Sequence, residues 1–217
     1  MKNWIVFTLA AILFVLPKIT LAQNKDERKY SIQFSYGVAK TLHYNQPVNL
    51  VLCFEGCIAE EQEERSAPNV DLSVYRNLNR KNSVKVGIGF SAYKFWESGG
   101  ISPGSGGLSP YETTRELKYF TISTGYRHIF ETSKLISPFF ETDLLWEIHR
   151  DESYFLKKSG IALKPQVGFI VRVSNSFNIL VDGFYKSGIV PYNKESILNE
   201  NYIPYGYGLE VGMNLRM

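Results

Sequence analysis

Apolar and polar residues alternate with period two along most of the chain beyond Tyr30, and the alternation is sharpest at the end. Tyr205, Tyr207, Leu209, Val211, Met213, Leu215 and Met217 fall on one side. Gly206, Gly208, Glu210, Gly212, Asn214 and Arg216 fall on the other. Successive side chains of a β-strand point to opposite faces, so this stretch predicts a strand with one wholly apolar face. Its edge needs a partner, and closure onto the first strand of a barrel supplies one.

The same reading places seven strands upstream. They are Tyr30–Ala39, Asn69–Leu78, Val84–Trp96, Arg115–Phe130, Ser137–His149, Gly160–Val173 and Phe177–Gly188. The apolar face is clear in each: Ile32, Phe34 and Tyr36 in the first, Val84, Val86, Ile88, Phe90 and Ala92 in the third, Phe140, Leu144 and Trp146 in the fifth. The connections alternate. Long ones follow strands one, three, five and seven, and short polar turns at Asn79–Asn82, Glu131–Lys134 and Ser174–Ser176 follow the others. The first long link, from about His43 to Pro68, holds an apolar patch, Val48–Phe54, that continues the first strand. Its acidic run Glu60, Glu61, Glu63 and Glu64 predicts a solvated loop. The Gly-rich link Glu97–Thr114 predicts a surface loop rather than a strand. A phosphate cradle would need a helix directly after it. Eight strands long enough to cross hydrocarbon at a tilt, with short and long links in turn, predict an all-β fold: an eight-stranded antiparallel up-and-down transmembrane β-barrel.

Charge sharpens the picture. The polar face carries Asp71, Glu141, Asp143, Glu147, Asp182 and Glu210 against Lys85, Arg127, Lys164, Arg172, Lys186 and Arg216. A water-exposed face tolerates any imbalance, whereas a narrow interior does not, because an unpaired buried charge costs several kcal/mol. Glycines crowd the same face and make room for long side chains in a lumen that eight strands just enclose. A plugged, salt-bridged barrel is expected, with Phe90, Phe120, Phe140, Trp146, Phe169, Tyr185 and Tyr207 facing lipid. The alternative is a soluble secreted lipocalin-like barrel, with the apolar face lining a ligand cavity. Periodicity alone does not choose between the two.

Residues 1–22 read as a signal peptide. Lys2 is followed by an apolar run from Trp4 to Leu16, and Thr20-Leu21-Ala22 offers small residues for cleavage after Ala22. Residues 23–217 are then the barrel domain. Lys2 and Lys18 leave with the signal, which takes the formal net charge from +3 to +1. No basic patch interleaved with aromatics calls for nucleic acid.

These features together resemble the small outer-membrane β-barrels of the OmpA and OmpX type, over about Tyr30 to Met217. The terminal strand resembles the closing strand of that family, with Met217 where an aromatic residue is usual. The Ala22-Gln23 junction and the Tyr- and Gly-rich strands are similar to the barrel proteins of Bacteroidota. The resemblance implies residence in the cell outer membrane, contact with its lipid, insertion by the barrel-assembly machinery, and no common catalytic residues or cofactor. It leaves the work to the outer loops: a structural, adhesive or envelope-complex role with an extracellular or envelope protein partner.

Other candidates are local. Cys53 and Cys57 flank Phe-Glu-Gly, and an exported chain makes a disulfide between them the expectation. A zinc site lacks a second Cys/His pair nearby, and the acidic run lacks a calcium-loop spacing. His149, with Asp151 and Ser153, is the best arrangement for an alternative function, a rim-active envelope hydrolase. Exposed aromatics at Tyr111, Tyr154, Phe155, Tyr192 and Tyr202 are candidate contact points for a partner.

Overall fold

The computed structural model describes residues 29–45, 61–101, 109–130, 135–149, 159–189 and 202–217. The signal segment, the Val48–Phe54 patch, Cys53 and Cys57, Asp151, Ser153, Tyr154, Phe155 and Tyr192 lie outside them.

Eight strands close into one antiparallel barrel in sequence order. They are β1 (Tyr30–Asn45), β2 (Glu61–Asn77), β3 (Asn82–Ile101), β4 (Ser109–Ile129), β5 (Ile136–His149), β6 (Gly160–Arg172), β7 (Phe177–Gly188) and β8 (Tyr202–Arg216). The last strand closes on the first, from Ser31 opposite Arg216 to Asn45 opposite Tyr202. The Met217 amide donates to Tyr30 O at 2.9 Å, which continues the seam to its lower end. In a closed wall every strand has a neighbour on both sides, so the sheet has no edge.

Two of the short turns are built by side chains. Asn79 Oδ1 accepts the amides of Lys81 and Asn82 at 2.9 and 2.8 Å, and Ser174 Oγ accepts those of Ser176 and Phe177 at 3.2 and 3.1 Å. Such local acceptors favour a turn over continued extension.

Strand ends differ from the sequence expectation. β3 and β4 run on past Trp96 and before Arg115 and pair as far as Ile101 with Ser109, so Ser98-Gly99-Gly100-Ile101 is strand and not loop. Likewise Glu61–Glu64 belong to β2, opposite Phe95 to Ser98. β1 continues to Asn45, and β8 begins at Tyr202 rather than Tyr205. Tyr111 and Tyr202 are therefore strand residues. Composition misleads here because a ladder is made of backbone bonds, and a neighbouring strand already in register extends it whatever the side chains.

Two irregularities mark the wall. Between Glu64 and Asn69 the β2–β3 register shifts, with one more residue on β2, which is a β-bulge. On β6, Pro165 has no N–H to give. The β6–β7 ladder is interrupted there, ending at Leu163 with Ser187 and resuming at Gln166 with Phe184.

The faces decide between the two barrels. Ile88, Phe90, Leu144, Trp146, Val167, Phe169 and Leu209 are exposed, while Glu141, Glu147 and Lys186 are at most 1% exposed. The apolar face points out and the charged face points in, the reverse of a lipocalin. Ala92 departs from the pattern: it was expected on the outward face and is 5% exposed. Its methyl is much shorter than the side chains of Phe90 and Lys94 on either side of it along the strand.

Candidate functional site

The site is the lumen. Its parts come from every strand because alternate residues all turn inward. Small residues make the room. On β8, Gly208 lies so close to β1 that a Cβ there would fall 2.1 Å from Val38 O. On β3, a Cβ at Gly89 would fall 2.3 Å from Val70 O.

The largest cluster surrounds Lys85. Its Nζ lies 2.7 Å from Asp143 Oδ2, 3.2 Å from Glu141 Oε1 and 3.2 Å from Asp71 Oδ2. Arg127 Nε is paired with Glu141, its Nη2 donates to Tyr75 OH at 2.7 Å, and its Nη1 donates to Gln33 Oε1 at 3.0 Å. The guanidinium lies over the Tyr75 and Phe139 rings, 4.2 and 4.7 Å from their centroids. Tyr75 OH donates to Glu141 Oε1 at 3.0 Å, and Gln166 Nε2 donates to Asp143 Oδ2 at 2.8 Å. Ser73 Oγ holds Asp71 from the neighbouring inward position of β2.

Two smaller clusters complete the stack. Lys164 Nζ pairs with Glu210 Oε2 at 2.5 Å and lies over the Phe184 ring. Asp182 is Glu210's register neighbour across the β7–β8 pair. Glu147 accepts from Ser91 Oγ at 2.7 Å, Tyr93 OH at 2.7 Å and Lys186 Nζ at 3.0 Å. Apolar groups cap the stack at either end: Tyr93, Phe95, Leu117 and Tyr119 toward the long connections, and Phe139, Ile170 and Leu180 toward the short turns. Buried charges are tolerated when each has an opposite partner and further hydrogen bonds; Lys85, Arg127, Lys164 and Lys186 each have a carboxylate partner here, while Asp182 Oδ1 and Asp143 Oδ1 are buried without a hydrogen-bond partner.

Of the twelve charged residues of the polar face, Lys85, Arg127, Glu141, Asp143, Glu147, Lys164, Asp182, Lys186 and Glu210 are buried. Asp71 joins them with its side chain 15% exposed. Arg172 and Arg216 do not reach this interior. They line a cavity that opens at the short-turn end. The interior therefore holds six carboxyl side chains and four cations, and the one-for-one match expected along the face does not hold at its centre. The uncharged partners Tyr75, Tyr93, Gln33, Gln166 and Ser91 were not singled out with the charges. Their signal was their inward parity on the same strands.

His128 and His149 are engaged locally. The His149 ring meets the Tyr119 ring edge-to-face at 5.2 Å, and His128 Nδ1 lies 2.7 Å from Asn82 Oδ1. Among the described residues no group of three or more His, Cys, Asp or Glu is arranged to hold a metal ion.

No protein-family model matches the chain, and no curated protein matches it. Solved structures do. Neisserial surface protein A is 12% identical, with 87% of this chain covering 97% of that one at a TM-score of 0.51. The outer membrane protein OprG from Pseudomonas aeruginosa is also 12% identical over 87% and 97%, at a TM-score of 0.46. At this identity the likeness is one of fold, and the fold is the closed eight-stranded antiparallel up-and-down β-barrel that Neisserial surface protein A shares.

Proposed function

We propose that the protein is an integral barrel of the outer membrane, plugged by its salt-bridged lumen, that works through the outer ends of its strands and its long connections. One observation carries this: each of the eight strands turns a run of apolar side chains outward while carboxylates and lysines are sealed inside. An apolar belt this continuous would aggregate in water, whereas hydrocarbon solvates it. The packed lumen argues for a structural, adhesive or complex-forming role rather than for passage of solutes. The Tyr- and Gly-rich strands support a place among the OmpA- and OmpX-type barrels of Bacteroidota.

The test is fractionation of cells with and without detergent, followed by gels of heated and unheated protein. Recovery in the outer-membrane fraction with heat-modifiable migration is the expected result. A detergent-free soluble protein would end this reading. For the outer role, a photo-crosslinker at Tyr111 in intact cells is expected to capture a distinct envelope or surface protein.

A further inference from the structure

We propose that the short-turn end of the barrel is a binding site for a phosphate-class oxyanion. This goes beyond the reading of the chain as a plugged envelope barrel. A cavity of about 610 Å³ opens at that end, and its wall holds Lys29, Arg80, Arg127, Arg172 and Arg216, with no Asp or Glu among the described residues that line it.

The contrast with the lumen above it carries the argument. There, Lys85 alone has three carboxylates within 3.2 Å. In the cavity Arg127, in the floor, is paired, and it turns to Glu141 behind it. Lys29, Arg80 and Arg172 have no ion-pair partner among the described residues. Arg172 Nε is buried without a hydrogen-bond partner, and its Nη2 reaches only Ser137 Oγ, at 3.4 Å.

A buried donor on a cation is costly to leave unmet. Like charges gathered in one concave site raise the local potential for anions. Guanidinium forks match the oxygens of phosphate in pairs, and a doubly charged tetrahedral anion answers several cations at once better than a single carboxylate does. The phosphate can arrive free in solution or as the headgroup of a lipid at the adjacent rim.

The experiment uses the whole barrel in maltoside micelles, which contain no phosphate. Inorganic phosphate is titrated by calorimetry and by NMR of the arginine Nε–H signals. Saturable binding is expected, weakened about tenfold by Arg172→Gln and by Arg80→Gln. Arg65→Gln, at the far end of β2, is expected to leave it unchanged. Heat-modifiable migration verifies that each variant is folded.

The same titration in vesicles separates the sources. If phosphatidic acid in the bilayer displaces soluble phosphate, the headgroup is the ligand. If it does not, the free ion is. Absence of saturable binding by the unmodified protein overturns the proposal, as does equal binding by folded Arg172→Gln and Arg80→Gln. Solubility without detergent would sink the membrane reading and leave this titration still decisive.

Discussion

Thr41 on β1 is bonded through its side chain to the backbone of Lys94 on β3, a strand that is not its neighbour in the barrel. The Thr41 Oγ1 accepts the Lys94 amide at 2.7 Å and donates to the Lys94 carbonyl at 2.9 Å. The contact spans β2 where the bulge between Glu64 and Asn69 breaks the regular β2–β3 pairing. A hydroxyl thus takes the place that a ladder bond would have occupied. Thr41→Val keeps the shape and leaves that amide and carbonyl unmet in a fully buried site. A loss of about 1–3 kcal/mol is expected, read from urea unfolding in lipid vesicles. An unchanged midpoint would show the bulge to be held by other means.

The Glu147 cluster predicts a double-mutant cycle. Lys186→Met leaves Glu147 without its cation, and about 3–5 kcal/mol should be lost. Adding Glu147→Gln removes the stranded charge, so the double variant should recover part of that loss. The coupling, measured from the same unfolding curves, is expected to exceed about 0.5 kcal/mol, as for groups in direct contact.

Gly208 tests the closing seam. A methyl group there would overlap Val38 O, a backbone atom of β1 that a side-chain rotation cannot move aside. Gly208→Ala should destabilise the barrel by about 1–3 kcal/mol. Hydrogen exchange should rise first at the β1–β8 amides. Gly183→Ala, whose added carbon meets nothing nearer than 3.8 Å, is the control and should be near neutral.

Leu144 tests the outward belt. It is 45% exposed on β5, opposite Leu163 of β6. Leu144→Arg should cost about 2–4 kcal/mol if the side chain faces the bilayer midplane. In water, the same change on an exposed face would fall within about ±0.5 kcal/mol. Folding yield into vesicles distinguishes the two.

Much of the architecture was legible because barrel walls are periodic. The inward parity of Glu141, Asp143 and Glu147 follows from Phe140, Leu144 and Trp146 alternating with them, and β7 was read to its residue limits. Strand ends were not legible at Ser98–Ile101 or Glu61–Glu64, where backbone pairing overrides unfavourable composition. Nor were the partners. That Lys85 meets Asp143 over Gly125 of the strand between them, or that Arg172 sits at the mouth while Arg127 sits above it, depends on strand pairing, tilt and stagger. No single stretch of sequence encodes those quantities. Thr41 gave no signal at all, since its role exists only where a third strand crosses its path.

Pro165 leaves β6 and β7 unstitched opposite Tyr185 and Lys186, on a cylinder whose other seams are continuous or merely bulged. Behind that slit stand Lys164 and Glu210, so the ion pair serves as an inner latch on a joint the backbone does not fasten. Warming should loosen the wall there before it loosens elsewhere, and the loss of Glu210 alone should turn a local breach into the starting point for unzipping the whole cylinder.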